Sequence, residues 1–429
     1  MQTVQGDQPS SPSGLRWLYV DFNSYFASVE QQLCPELRGK PIAIVAVDTD
    51  ATCAIAASYE AKAFGVKTGT PIWEAKQLCP GLICVLGRHE RYVEYHQRIL
   101  AEIDNHIPIT AVCSIDEMAC RLMDNETSVE RSTEIGRSIK RGLAKHVGDY
   151  VKCSIGIAPN RYLAKIATDM QKPDGMTVLQ PHDLPERLFD LELRDLVGIG
   201  RNMERRLALA GITTMRALLA LDAKHLRKIW GGVLGERIWY QLRGIEMPDE
   251  ETSRRSVGHS HVMAPELRDP AKAIFVARRL TLKAASRLRR MAYYAGALSL
   301  SMRIENGPRL EGGLRCYRAQ DSMSFLTLLN RLWLELVPKT RGTKIKKLSI
   351  TLHELVPADA LQPELFDILS GLEIRQREKA EKLCHALDRI NHRFGRDTML
   401  IGMLPSQGRS FSGTKIAFTR IPDMEEFRE

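Results

Sequence analysis

The chain has 429 residues, with 61 Lys and Arg against 52 Asp and Glu, a net charge of +9. That length is too great for one ordinary core and points to two to four domains of ~100–200 residues each. A composition of 44% hydrophobic and 26% charged residues excludes a largely disordered chain, and no stretch approaches the ~20 apolar residues of a membrane span.

Residues 1–14, MQTVQGDQPSSPSG, are polar and lack an apolar signal core, so they read as a disordered N-terminal tail and not an export signal. The nine cysteines are dispersed and contain no CxxC pair. This argues against a disulfide framework or zinc site and for a cytoplasmic location. Residues 15–24 open with an apolar run ending at Asp21, and YFASVEQQL after it has helical spacing. Short β-rich runs follow at 40–47 and 53–57, then a helical piece from Glu60 to Phe64 stopped by Gly65 and the Gly69–Pro71 turn. Residues 90–104 are amphipathic. Residues 110–122, TAVCSIDEMACRL, read as strand, turn, strand around a polar Ser114–Glu117 centre. A helix over 126–146 and a strand over 150–157 complete an α/β region of roughly 180 residues.

From Pro181 to about Gly244 the pattern is helical with short connections. The polar, acidic stretch 246–255 reads as a linker. Residues 256–355 begin with a strand, SVGHSHV, and carry a helix over 270–291. Strands are expected at 296–304 and 346–354, around a helix at 321–337, an α+β pattern. A last helix over 373–394 places Leu383, Leu387, Ile390 and Phe394 on one stripe that should dock on a neighbour. The overall class is α/β and α+β multidomain.

Charge is unevenly placed. Residues 252–350 hold 20 Lys and Arg against six Asp and Glu, a net +14, which leaves −5 for the rest. Such a module suits a polyanion partner, although a solvated surface gives the same pattern.

Asp21 ends one strand, and Asp116 and Glu117 lie in the turn between two others. Three carboxylates so placed can converge on a hard divalent cation, which takes oxygen ligands and shares them with substrate phosphates. Taken singly, each of these residues is more often a solvated turn residue. The blocks DFNSYFASVEQQL, SYEAKAFGVKTGTP, SIDE and SIGIAPNRYLAKIATDMQKPDG together change that: in order and over most of the chain, the sequence resembles the Y-family translesion DNA polymerases, which include the polymerase IV and UmuC types.

The resemblance implies a right-hand polymerase: palm at 15–24 and 88–180, fingers at 25–87, and a helical thumb with a helix-hairpin-helix at 181–245. A linker at 246–255, a little finger at 256–357 and a C-terminal extension at 358–429 complete it. The implied reaction is template-directed, two-metal nucleotidyl transfer from a dNTP to a primer 3′-hydroxyl, of the low-fidelity, damage-bypass type. Asp21, Asp116, Glu117 and the Phe22 carbonyl would hold two Mg²⁺ ions, with Mn²⁺ as a substitute. Phe26 would be the steric gate against a 2′-hydroxyl, next to Tyr25. Tyr59, Lys62 and Lys172 would hold the triphosphate. Gly198, Gly200 and Arg201 in the hairpin, with Arg254, Arg255, Lys344 and Lys346 in the basic module, would contact DNA phosphates. Gln362, Leu365 and Phe366 resemble the peptide that docks on a sliding clamp, and UmuC-type relatives imply an accessory subunit. Expected partners are thus primer-template DNA, dNTP and the clamp, and no membrane. The polymerase IV pattern has Asp at Asn23 and Arg at Lys62, and both departures resemble the UmuC type. Two rivals remain at this point: a non-catalytic DNA-binding or scaffold protein, which would have lost the carboxylates, and a helix-hairpin-helix repair nuclease or lyase, which leaves the SIDE and KPDG blocks unexplained.

Overall fold

The structure, a computed structural model, describes residues 14–248, 253–361, 371–395, 398–402, 416, 421–422 and 424–427. The expected tail, Gly14 apart, and the Gln362–Phe366 peptide lie outside the described residues. The chain forms two compact units, residues 1–249 with 414–424, and residues 250–413 with 425–429.

The first unit begins with β1 (Trp17–Phe22), α1 (Tyr25–Leu33), β2 (Ile42–Val45), β3 (Ala54–Ala57), α2 (Tyr59–Ala63), α3 (Ile72–Leu78) and β4 (Ile83–Leu86). It continues through α4 (His89–Asp104), β5 (Ala111–Ser114), β6 (Glu117–Arg121), α5 (Val129–His146), β7 (Cys153–Ala158), α6 (Arg161–Met170) and β8 (Met176–Val178). One sheet has the order β5-β6-β1-β7-β8, and a smaller one has the order β3-β2-β4. All six residues of β1 are buried, because this central strand is covered on both faces. Trp17 and Tyr19 pack with Leu163, Ala164 and Ala167 of α6, and Leu18 and Val20 point the other way, as the period of two requires. Gly156 of β7 allows α6 to lie close: a Cβ there would stand 2.0 Å from the Ala164 carbonyl oxygen. Asn160 caps α6 through the Leu163 amide at 2.8 Å, and its Nδ2 donates to the carbonyls of Gln241 at 2.8 Å and Ile245 at 3.0 Å.

The helical region is shorter than its sequence pattern suggests. Residues 181–195 make only short 3₁₀ turns, and the helices are α7 (Arg201–Leu209), α8 (Met215–Leu219), α9 (Ala223–Trp230) and α10 (Val233–Gln241). The start of the expected linker is tied down, since the Trp17 indole donates to Glu246 at 2.7 Å.

The second unit contains β9 (Ser256–Val262), α11 (Pro270–Arg290), β10 (Tyr293–Ile304), β11 (Arg309–Ala319), α12 (Ser322–Leu336), β12 (Ile345–Pro357) and α13 (Gly371–Phe394). Its sheet is antiparallel in the order β11-β10-β12-β9, and β11 is a strand that the sequence pattern does not reveal. Leu298, Leu300, Met302, Leu348, Ile350 and Leu352 form the covered face with α11 and α12. The stripe on α13 docks differently from expectation: Leu383 and Phe394 are exposed and Cys384 is buried. Arg289, itself buried, donates to both carboxylate oxygens of Asp388 at 2.7 and 2.9 Å. Leu387 and Ile390 of the stripe are half-buried, so a polar pair together with part of the expected apolar stripe holds the helix.

Candidate active site

The β1–β6 register sets Asp21 opposite Glu117. Asp116 lies in the turn just before β6, and its carbonyl accepts the Phe22 amide at 2.9 Å. The turn is pinned further. The Asp116 carboxylate and the Ser114 hydroxyl are 2.5 Å apart, and the Ile115 carbonyl accepts Nδ1–H of buried His96 at 2.7 Å. The three carboxylates named from the sequence therefore share one end of the central strands. Burial lifts the Asp116 carboxyl above its ordinary range, Ser114 opposes this, and the charges of Asp21 and Glu117 add to the rise. Mutual repulsion of this kind favours any cation that enters.

Two lysines lie among these groups, Lys165 from the middle of α6 and Lys172 from the turn that follows it. Lys165 Nζ touches Asp21 and stands 2.8 Å from Glu117 Oε1 and 3.5 Å from Asp169. Lys172 Nζ lies 2.8 Å from Asp21 and 2.7 Å from Asp169. Burial disfavours the charge on Lys165, but Asp21, Glu117 and Asp169 outweigh it and hold the ammonium above its usual range. Lys172 is raised for the same reason, with burial opposing and Asp21 favouring. Among the described residues, no three His, Cys, Asp or Glu side chains converge on a cation as they stand. The three carboxylates have the chemistry a hard divalent ion requires; in this arrangement Asp21 and Glu117 are closed on ammonium groups and Asp116 on the Ser114 hydroxyl. Lys165 and Asp169 are site residues that the sequence reading did not name. Their signal is the i, i+4, i+7 spacing of Lys165, Asp169 and Lys172.

Tyr59 and Lys62 join the same field from α2. Lys62 Nζ sits 4.4 Å from the Tyr59 ring centroid. Burial and the charge of Lys172 lower Lys62, with Asp21 opposing. Burial raises Tyr59, against the pull of Lys172. Asn23 braces the turn that carries Lys172: its Oδ1 accepts the Asp174 amide at 2.8 Å and its Nδ2 donates to Ser154 Oγ at 3.0 Å. An amide does both jobs, which gives the Asn at this position a physical role.

Phe26 is half-buried on α1, stacked on Tyr92 with centroids 4.4 Å apart and planes at 15°. Tyr25 is buried behind it and donates its hydroxyl to the Tyr92 carbonyl at 2.6 Å. In the helical region, Gly198 has φ +92 and Gly200 precedes the first turn of α7, with Arg201 exposed. Arg206 is used internally, donating to the Ile229 carbonyl at the end of α9.

In the second unit Arg254, Arg255, Lys344 and Lys346 are all exposed. The register adds a row that was not named from sequence. Arg309, Arg303 and Lys347 are cross-strand neighbours on the uncovered face, beside a band of small hydroxyl residues, Ser301, Ser349 and Ser260. Lys346 lies at the irregularity between the Arg303–Lys347 and Ile304–Ile345 pairs.

Comparisons with known proteins bear on the family of the chain. Residues 20–169 match the impB/mucB/samB family and residues 254–365 match its C-terminal domain. DNA polymerase IV of Moorella thermoacetica is 31% identical over 389 residues, covering 88% of this chain and 93% of that protein. DNA polymerase IV 1 of Bacillus subtilis is 33% identical over 290 residues, 66% of this chain and 69% of that protein. Among solved structures, a Y-family DNA polymerase chimera of Dbh and Dpo4 superposes with a TM-score of 0.69 at 26% identity, over 80% of this chain and 99% of the other. An insertion ternary complex of Dbh DNA polymerase gives 0.52 at 26% identity with the same coverage.

Proposed function

Because this chain belongs to the Y family of translesion DNA polymerases and is a DNA-directed DNA polymerase, we propose that its chemistry is centred on Asp21, Asp116 and Glu117. The observation that carries the reading is their juxtaposition across β1 and β6 beside Lys62 and Lys172. The reaction is attack of a primer 3′-hydroxyl on the α-phosphate of a dNTP, with pyrophosphate as leaving group. The three carboxylates and the Phe22 carbonyl would hold two Mg²⁺ ions, or Mn²⁺ in their place, which when bound would supply Lewis-acid activation and neutralise charge on the phosphates.

The chain's own groups do the remaining work. Lys62 and Lys172 bring positive charge to the triphosphate, and the Tyr59 hydroxyl offers it a donor. Asn23 holds the Lys172 turn against β7. Phe26, fixed by its stack on Tyr92, fills the space a ribose 2′-hydroxyl would need. In domain terms, the five-stranded sheet with 15–24 and 88–180 is the palm, 25–87 the fingers, 181–245 the thumb and 256–357 the little finger. The open face with Arg303, Arg309 and Lys347, together with Arg254, Arg255, Lys344 and Lys346, takes template phosphates without reading sequence. The hairpin at Gly198, Gly200 and Arg201 does the same at a helix start. A clamp contact through Gln362, Leu365 and Phe366, an accessory subunit and low fidelity belong to the same reading.

Primer extension by the purified chain with Mg²⁺, on an intact template and on one carrying an abasic site, tests it. Nucleotide addition opposite the lesion is expected. Absence of addition on both templates would overturn the reading.

A further inference from the structure

Lys165 has no place in the chemistry above, yet it is the group most deeply engaged with it. Its ammonium touches Asp21, lies 2.8 Å from Glu117 and 3.5 Å from Asp169, and sits 5.8 Å from the Tyr19 ring centroid. Its backbone has no room to move toward the sheet, since α6 already lies against Gly156 as closely as a glycine permits. A hard divalent cation needs carboxylate oxygens at ~2.0–2.1 Å, and the oxygens it would take here are the ones Lys165 holds. Two positive groups in that space repel strongly at low effective dielectric.

We propose that Lys165 is an internal counter-cation that competes with the divalent metal for Asp21 and Glu117, and that Asp169 is the carboxylate to which it withdraws when metal enters. Asp169 lies one turn along the same helix face and is shared at present with Lys172. Departure of Lys172 toward a triphosphate frees Asp169 for Lys165, so metal entry and nucleotide capture favour one another through that single carboxylate. The proposal rests on the metal and triphosphate roles given above and adds a positioning role that no catalytic contact requires.

The test is Mn²⁺ binding to the full chain without DNA or nucleotide, read from the free-ion electron paramagnetic resonance signal. Wild type, K165M, K165Q, K165R and D21N are compared. The uncharged variants K165M and K165Q are expected to bind Mn²⁺ at least about fivefold more tightly than wild type. K165R, which keeps the charge, stays near wild type. The rise in melting temperature on adding Mn²⁺ is also larger for K165M and K165Q than for wild type; a merely structural lysine would lower the melting temperature without enlarging that rise. Unchanged or weaker binding by both uncharged variants, with D21N losing binding, overturns the competition. Wild-type binding by D21N instead overturns the underlying metal assignment, so the two failures are distinguishable. Measuring both K165M and K165Q keeps a folding defect in one from deciding the outcome.

Discussion

At the scale of single residues, the site is a balance of buried charges whose shifts have nameable causes. Phe26 is set by stacking on Tyr92, so Phe26→Ala removes a wall and leaves the carboxylates in place. Ribonucleotide incorporation relative to deoxynucleotide should rise at least ~10-fold, about 1.4 kcal/mol of discrimination; an unaltered ratio in a single-nucleotide incorporation assay would remove the gate role. His96 offers a pH test. Burial lowers its pKa from the ordinary 6.5, with the bond to the Ile115 carbonyl opposing. The unfolded chain therefore binds the proton more readily than the folded one, and stability falls as pH drops through ~6.5 toward the lowered folded value. His96→Asn keeps a donor for Ile115 and has nothing to titrate. Its urea midpoint should lack that part of the acid-side decline; an identical decline in both proteins would place the titration elsewhere.

At the scale of elements, the Arg289–Asp388 pair decides how α13 docks. Removing Asp388 leaves a buried guanidinium with, among the described residues, the Gln320 carbonyl and Ser322 as its hydrogen-bond partners. Asp388→Ala should lower the stability of the second unit by about 1.5–3 kcal/mol in urea unfolding, while Leu383→Ala, on the exposed face, should change it by less than about 0.5 kcal/mol. The reverse ranking would restore the apolar stripe. This pairing was not legible in sequence because the stripe of leucines is visible and a partner 99 residues away is not. β11 was hidden for a related reason. Its covered face runs Leu310, Gly312, Leu314, and the glycine breaks the alternation because Leu332 of α12 already fills that space, 3.2 Å from where a Cβ would sit. By contrast β1, α4, the Ser114–Glu117 turn and the helix ending near Arg290 were legible, since each carries its own periodicity or boundary signal. Asp21, Asp116 and Glu117 were legible only as a set with their neighbouring blocks. Lys165 was passed over because a lysine on an amphipathic helix is usually a solvated one.

At the scale of the whole molecule, the +9 is a +14 stretch on a −5 remainder, and the register shows where part of that charge lies. Arg309, Arg303 and Lys347 form one row across three strands, beside small hydroxyl residues that let a backbone approach. DNA binding should therefore weaken steeply with salt and show little sequence preference. The double variant R303A/K347A should reduce the slope of log affinity against log salt by about 1–2; a slope equal to wild type would move the phosphate contacts off this face. The acidic remainder holds the other half of the design, a carboxylate centre whose repulsion is met by lysines within the protein.

The central claim is that Asp21, Asp116 and Glu117 carry the chemistry while the basic surfaces carry the DNA. Single-turnover primer extension by the full chain and by Asp116→Ala and Glu117→Ala, with DNA affinity measured on the same preparations, separates the two. Extension by each variant should fall by about 10³-fold or more, some 4 kcal/mol of transition-state stabilisation, with DNA affinity within about twofold of wild type. Extension at the wild-type rate by either variant would contradict the assignment.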